Sequence, residues 1–358
     1  VVRIAGPSLP YDPTYHLLWR VDKIRDVVRR EHPDVLEIHS PYVAAASVLS
    51  MPRAWFGIRT FTWHSDFIDT YLRVMLERHL PPAPTTVLLA PFWAMMRTIA
   101  RGCDATFVAA KWQVEKLRAH GLPRVVHVPF GVERAEFTPA RASEARRREL
   151  LGPFGAAHPD ARLLVGVGRF AVEKRWDVVL DAFVALRRTH DAVLVLFGDG
   201  PERERMQARV AGRDDVRFEG FVRDRSQLAS ALASADALVH ACPYETFGLS
   251  IAEAMSCGLP VVVPDLGGAA ELADDASAER YASLDVDACA RAMARMLARE
   301  ATGRDALRRA AVRAAEQVPN VRGQFESLFA EYRRLLAVRA DGARGARDGG
   351  GDVHVAQR

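Results

Sequence analysis

Cysteine is scarce in this sequence. Four stand in 358 residues, at positions 103, 242, 257 and 289, and none forms a C-x-x-C pair. That excludes a disulfide framework and a zinc-knuckle pattern, and it leads us to expect a reducing cytosol. Long apolar runs are also missing. The longest, Val87 to Met96, is interrupted by Pro91 and is too short for a membrane span. No secretory signal stands at the front, where the chain starts on Val1 without a Met. One-sided charge is absent too: the formal balance is only +4, with 17 basic and 13 acidic residues in 1–138 and 32 of each in the remainder. A basic excess of that size is what solubility alone produces; a contact with an anionic acceptor or a membrane surface is the alternative. No nucleic-acid motif accompanies it. What is there is a composition of 49% hydrophobic and 26% charged residues, that of a globular protein long enough for two domains.

Strand-like and helix-like segments alternate. In the first half, Val1–Ile4 reads as a strand end. Strands follow at Pro33–His39, Arg59–Trp63, Ala105–Ala109 and Val125–Pro129, with helices at Arg20–Arg30, Tyr42–Leu49 and Lys111–His120. The segment Phe67 to Leu80 is amphipathic; such a stripe packs into a core or touches a lipid surface. Residues 138–160, rich in Arg, Ala, Pro and Gly, read as a linker with a short helix. The second half has near-continuously apolar strands at Leu163–Gly166, Ala192–Phe197, Val216–Gly220, Ala237–His240 and Pro260–Val263, as expected for a sheet covered on both faces. Residues 324–338 have helical periodicity, and the Gly-, Asp- and Arg-rich tail 339–358 reads as disordered. The fold class expected is α/β, two doubly wound parallel-sheet domains in series, in which ligands bind beyond the carboxyl ends of the strands.

The densest chemistry lies in Pro243-Tyr244-Glu245-Thr246-Phe247-Gly248-Leu249-Ser250-Ile251-Ala252-Glu253-Ala254-Met255. Two carboxylates stand eight positions apart, one in the loop after a buried strand and one about a turn into the next helix. Gly248 opens that helix, where unpaired N–H groups attract anions and a missing side chain lets a phosphate approach the backbone. A diphosphate on Gly248, Leu249 and Ser250, with Glu245 and Glu253 accepting from sugar hydroxyls, suits a nucleotide-sugar; the plainer alternative is a helix with two solvated acids. A second cluster, Gly166-Val167-Gly168-Arg169-Phe170-Ala171-Val172-Glu173-Lys174, follows the first strand of this half. Arg grips a phosphate bidentately and Lys supplies a point charge, so Arg169 and Lys174 could hold a leaving diphosphate, unless they are two solvated loop cations. Gly166-x-Gly168-x-x-Ala171 also fits a dinucleotide fingerprint. The acid that fingerprint wants about 20 residues on is missing; the first acid after the second strand is Asp199.

The 243–271 segment, with Glu253-Ala254-Met255-Ser256-Cys257-Gly258-Leu259-Pro260-Val261-Val262 and Gly267-Gly268-Ala269-Ala270-Glu271, resembles the E-x7-E region of the retaining family-4 glycosyltransferases, which share the GT-B fold. The resemblance covers 160–275 closely and 20–135 more loosely. It implies two Rossmann-like domains facing across a cleft: an acceptor-side domain over 1–138, a linker over 139–160, a donor-binding domain over 161–322, and a helix over 323–338 crossing back to the first domain. It assigns the donor diphosphate to Arg169 and Lys174, the base to turns at Gly198 and Val222, the sugar hydroxyls to Glu245 and the ribose to Glu253. It assigns a catalytic place facing the sugar to a His after a first-domain strand, best matched by His64, with His39 as runner-up. Where members carry Gly after the Lys, this chain has Arg175. A strand, a Gly-rich loop and a helix that normally precede residue 20 are missing, so a fragment with an incomplete first sheet is expected.

The resemblance implies a retaining hexosyl transfer from a nucleotide-diphosphate sugar to a lipid or saccharide acceptor, without a cofactor or a metal. No residue stands out as a covalent nucleophile, which is compatible with same-face attack assisted by the leaving phosphate. The expected location is cytoplasmic, with peripheral contact at the inner membrane face as a possibility, and no nucleic-acid partner. A nucleotide-sugar binding remnant without turnover, a GT-B epimerase and a nicotinamide-dependent oxidoreductase are the alternatives.

Overall fold

The computed structural model describes residues 2–9, 12–16, 18–77 and 79–348. The chain divides into two compact units. One draws on residues up to 68, 72–128 and from 325 onward; the other on 69–71 and 129–324.

Residues 2–7 are outside any strand, against the strand expected over Val1–Ile4; a small antiparallel pair, β1 (Ser8–Leu9) and β2 (Asp12–His16), follows instead. The sheet of the first unit is parallel and four-stranded, in the order β3 (Val35–Ile38), β4 (Ile58–Trp63), β5 (Ala105–Val108), β6 (Val125–His127). Side chains alternate across it. Phe61, Trp63 and Val108 join a core with Ile68, Leu89, Trp93, Met96 and Leu117. Ile58, Ala105 and Phe107 face the other way and meet Tyr332, Leu328, Leu335 and Leu336 of the last helix.

That last helix runs Val321–Asp348, so residues 339–348 of the expected disordered tail are helical; 349–358 lie outside the described residues. The reason is the apolar stripe of Leu328, Tyr332, Leu335 and Leu336, which buries itself on the sheet and carries the helix past the point where composition turns polar. A 21-residue helix, Pro82–Gly102, passed unseen in the sequence because its three prolines, with Pro81 before them, read as breaks. Pro82 sits in the first turn, where no N–H is needed, and Pro91 is accommodated inside. Its buried face is Thr85, Leu89, Trp93, Met96 and Ile99. In the amphipathic stretch, Phe67, Ile68, Leu72 and Leu76 pack into the first unit's core, whereas Tyr71 and Met75 are exposed. No helix among the described residues is long and apolar enough to cross a membrane.

The second unit holds a parallel six-stranded sheet in the order β12-β11-β10-β7-β8-β9. The strands are β7 (Arg162–Val167), β8 (Ala192–Phe197), β9 (Val216–Gly220), β10 (Ala237–Val239), β11 (Val261–Pro264) and β12 (Ala278–Tyr281). Every β8 residue is buried, Val193, Val195 and Phe197 into one core and Ala192, Leu194 and Leu196 into the other. The expected linker is mostly structure: Glu144–Ala157 is helical, with a kink at Gly152, and delivers Leu150, Leu151 and Phe154 to the Val193–Val195–Phe197 face. Its composition looked like a linker because those three apolar residues are all it needs to bury. Arg147 fixes it with two hydrogen bonds, at 3.0 and 2.7 Å, to the fully buried Asp236, which also accepts from the Leu163 N–H at 2.7 Å.

Candidate nucleotide-sugar site

The order of the second sheet places its topological switch between β7 and β10: from β7 the chain winds out to β8 and β9, then returns past β7 to β10, β11 and β12. In a doubly wound sheet the loops leaving two such strands diverge and open a crevice. The two clusters singled out in the sequence are those two loops.

After β7 the chain passes Gly168 and Arg169, makes a short 3-10 turn over Val172–Lys174, and enters the helix Trp176–Leu186 through Arg175 in the left-handed conformation (φ 51°). Trp176 Nε1 donates to the Arg169 carbonyl at 2.9 Å, tying the loop to the helix. Arg169 is exposed. Lys174 turns inward, and its Nζ donates to Glu245 Oε2 at 2.6 Å across the switch point. His240, just past β10, brings Nε2 to 3.3 Å from the same oxygen, a contact without good hydrogen-bond alignment. Burial alone would raise the Glu245 pKa, but His240 and the Lys174 ammonium outweigh it and hold the carboxyl well below the usual carboxylate range. Burial likewise works against the Lys174 charge; Glu245 outweighs that and raises the lysine above its ordinary value. Both members are therefore charged at neutral pH, and Glu245 carries no proton to donate.

His240, Cys242 and Glu245 place ligand atoms within 4.8 Å of one another. Burial pushes the Cys242 thiol up to about 12, and the carboxylate oxygen already meets Lys174, so this trio is poorly suited to a metal.

Gly248 caps the helix Leu249–Ser256 in the left-handed region (φ 98°), a conformation glycine adopts without cost. The Ile251 and Ala252 N–H groups close back on the Gly248 carbonyl at 2.9 and 3.0 Å. The N–H groups of Leu249 and Ser250 precede those bonds and form the positive end of the helix. Leu249 is 42% exposed. Glu253, one turn on, is 3% exposed and contacts Arg225, which opens the helix Arg225–Ser234 and stacks over Phe137 at 4.6 Å. Burial pushes Glu253 above its ordinary value, against the pull of Arg225.

Gly198, after β8, has φ 149°, and a Cβ there would stand 1.9 Å from the Gly168 carbonyl oxygen. Its observed role is to let the β7 and β8 loops touch. Val222, after β9, is half-buried against the sheet's core, beside the exposed Phe221.

His64 belongs to the first unit, just past β4. The structure stacks it on His39, past β3, with ring centroids 4.7 Å apart, and His39 Nδ1 contacts His64 Nε2. The two histidines weighed as alternatives are thus one pair. Behind them sits Glu37: Oε2 is 3.7 Å from His39 Nε2 and accepts from the Tyr332 hydroxyl at 2.5 Å, while Oε1 accepts from Thr62. Burial, then the neighbouring His39, lower the His64 pKa, against the raising effect of Glu37.

Sequence reasoning missed His240, Trp176, Arg225 and Glu37 as supports. A signal existed for two of them: His240 closes an otherwise apolar strand, and Glu37 is the one acid inside β3.

Two parallel-sheet α/β units, with cations and carboxylates meeting at a switch point, are the layout of a GT-B protein. Comparison with known proteins agrees. The family model "Glycosyltransferase Family 4" matches residues 1–136, and "Glycosyl transferases group 1" matches 161–299. The chain is 33% identical over 266 residues to the GDP-mannose-dependent alpha-(1-6)-phosphatidylinositol dimannoside mannosyltransferase of Mycobacterium tuberculosis, covering 74% of this chain and 65% of that protein. It is 36% identical over 261 residues to a GDP-mannose-dependent alpha-mannosyltransferase of the same species, covering 73% and 61%. Among solved structures, sucrose-phosphate synthase from Thermosynechococcus elongatus superposes with a TM-score of 0.74 at 21% identity, covering 89% of this chain and 77% of that one, which shows the shared fold. The chain belongs to the family-4 glycosyltransferases of GT-B fold. It spans about two thirds or less of the length of these curated relatives: 65% and 61%.

Proposed function

We propose that the chain binds GDP-mannose and transfers its mannosyl group, with retention at the anomeric carbon, to a lipid or saccharide acceptor. The observation that carries this reading is the Lys174–Glu245 contact of 2.6 Å at the switch point of the second sheet, beside the helix opened by Gly248. The names of the relatives support the choice of donor and acceptor class.

In this reading Lys174 and Arg169 hold the diphosphate, where negative charge grows as the sugar–phosphate bond breaks, and fixed cations lower the barrier most at that point. The N–H groups of Leu249 and Ser250 take a share of the same charge. Lys174 is already charged and already in place because Glu245 holds it there, so little reorganisation is needed when the donor arrives. Glu245, fixed as a carboxylate, accepts from sugar hydroxyls and does not act as an acid. Glu253 accepts from the ribose, which requires Arg225 to share it. Val222 and the turn at Gly198 border the base. His64 is the first unit's candidate catalytic residue. With no evident nucleophile, the acceptor hydroxyl attacks on the face that the diphosphate leaves, and its proton passes to the leaving phosphate oxygen. The paired cations do the work a metal would otherwise do, so chelation should leave donor binding intact.

The test is calorimetric titration with GDP, UDP and ADP, followed by product analysis with GDP-mannose and a phosphatidylinositol mannoside acceptor. Saturable GDP binding that is lost in Lys174→Ala, with an α-linked product, supports the reading. Preference for another base, or an inverted product, overturns it.

A further inference from the structure

The first unit carries a second basic concavity, at the opposite ends of its strands from His64. Arg59, Ala105 and Val126 line it from the amino ends of β4, β5 and β6, whereas His64 follows the carboxyl end of β4. A six-residue strand separates the two by roughly 20 Å. The cavity measures about 670 Å³, and six of its thirteen lining residues are arginines: Arg53, Arg59, Arg101, Arg124, Arg334 and Arg339. Asp104 is the one acid among them.

That acid is fully engaged. It takes two hydrogen bonds from Arg53, at 3.1 and 2.6 Å, and one from the Arg59 backbone N–H at 2.7 Å. Arg334 leans out to Glu331 at 2.8 Å. The Arg59 guanidinium donates to the carbonyls of Gly102 and Val48, and Arg124 to those of Ala100, Arg101 and Cys103. Carbonyls position a guanidinium but do not neutralise it. Arg53, Arg59 and Arg339 stand 5.3, 5.4 and 5.9 Å from the ring of Phe56, three like charges gathered on one face-binding aromatic. Arg339 gives one nitrogen to the Arg53 carbonyl at 2.8 Å, while its buried Nη1 meets no acceptor among the described residues. Burial, with Arg53 and Arg339 close by, depresses the Arg59 pKa, a sign that the cluster repels itself.

We infer that this cavity, formed by the strand starts, the end of the helix Pro82–Gly102 and the last helix, is a binding site for a phosphoryl group, separate from the donor site. A phosphoryl group brings close to two negative charges and three acceptor oxygens, which a guanidinium grips through paired hydrogen bonds. A lone carboxylate would leave more of the cluster unmatched. The phosphoryl group is a phosphomonoester, from either a small soluble phosphate compound or a lipid headgroup that ends in phosphate.

The test uses the full chain. Thermal shift and calorimetry with sodium phosphate, against sodium chloride at equal ionic strength, probe the soluble source. Sedimentation with phosphatidylcholine vesicles, with and without phosphatidic acid, probes the lipid source. The double variant Arg101→Ala/Arg334→Ala removes two exposed cations that the fold does not need, Arg188→Ala/Arg291→Ala makes the same change in net charge elsewhere, and Arg169→Ala weakens the donor site alone.

Saturable phosphate binding, weakened about tenfold (~1.4 kcal/mol) in the Arg101/Arg334 variant and kept in the other two, supports the site with a soluble ligand. Capture by phosphatidic acid vesicles with the same variant pattern supports the headgroup. Binding that falls equally in the Arg188/Arg291 control, that is lost only in Arg169→Ala, or that is absent from both arms overturns it.

Discussion

A middle strand of the second sheet and an edge strand of the first are built alike and buried unlike. In the second unit, β8 sits mid-sheet with every side chain buried, and apolar cores cover both faces. In the first, β3 lies at the edge of a four-stranded sheet and only Ile38 of its four residues is buried. The difference teaches where precision is kept. The buried strands of the second unit lead to charged groups held in fixed states, with Lys174 on Glu245 and Arg147 on Asp236, because low-dielectric surroundings make each pairing strong and each loss costly. Past the edge strand β3 stands a more adjustable group, the half-exposed His39, stacked on His64.

The largest expected effect breaks the comparison at its centre. Lys174→Ala should lower the proposed mannosyl transfer by about a thousandfold, the size of losing a fixed transition-state partner. It should also destabilise the second unit by about 3 kcal/mol, since Glu245 stays buried without its cation. Steady-state kinetics and hydrogen exchange resolved by unit would show both; near-normal turnover would remove the donor assignment. Gly198→Ala comes next. The new Cβ collides with the Gly168 carbonyl, and a cost of about 3 kcal/mol, with loss of nucleotide binding, is expected. A thermal melt unchanged from the parent would mean that the β7 and β8 loops are not held as described.

A matched pair sharpens the contrast between the two strands. Leu194→Ala, fully buried in β8, should cost about 3 kcal/mol, and Leu36→Ala, half-buried at the edge, about 1 kcal/mol. Urea unfolding followed unit by unit checks the ranking, and equal losses would erase it.

Acid sensitivity should divide the same way. The Glu245 pKa is depressed on folding, so its contribution to stability is present above the ordinary value of 4.5 and is lost as pH falls from there toward the folded value. Acid melts should show that loss in the second unit and a flatter limb in Glu245→Gln. The smallest effect is in the first unit. Glu37→Gln removes a charge that raises the His64 pKa, so whichever limb of the pH–rate profile His64 sets should move to lower pH, with kcat down by roughly threefold to tenfold. A change as large as that of Lys174→Ala would invert the comparison.

Legibility followed burial. Five of the six strands of the second unit were readable to within a residue or two because apolar runs covered on both faces leave a continuous signal, as in Ala192–Phe197; the edge strand β12, with Glu279 and Arg280 inside it, was not. The helix Pro82–Gly102 was not, because local rules read its prolines as breaks while packing of Leu89, Trp93 and Met96 overrode them. The helix Glu144–Ala157 was expected only as a short helix in a linker; its length and its docking on the sheet were hidden by the composition, since three buried residues were enough to dock it. At the site, Glu245, Lys174 and Gly248 could be named from spacing and resemblance. That Lys174 reaches Glu245 over 71 positions of sequence could not, since nothing local links them.

The sequence by itself determined the α/β alternation, the family and the residue types at the strand ends, because period, glycine placement and motif spacing act over short stretches of chain. The tertiary structure alone decided which of those residues meet. The strand order set the switch point, and so joined Lys174 to Glu245 and His240. It stacked His39 on His64 above Glu37, and it gathered six arginines from five separate segments around one cavity. Contacts between distant segments depend on how the sheets are wound and packed, and the free energy that holds them is spread through the core rather than written at any one position.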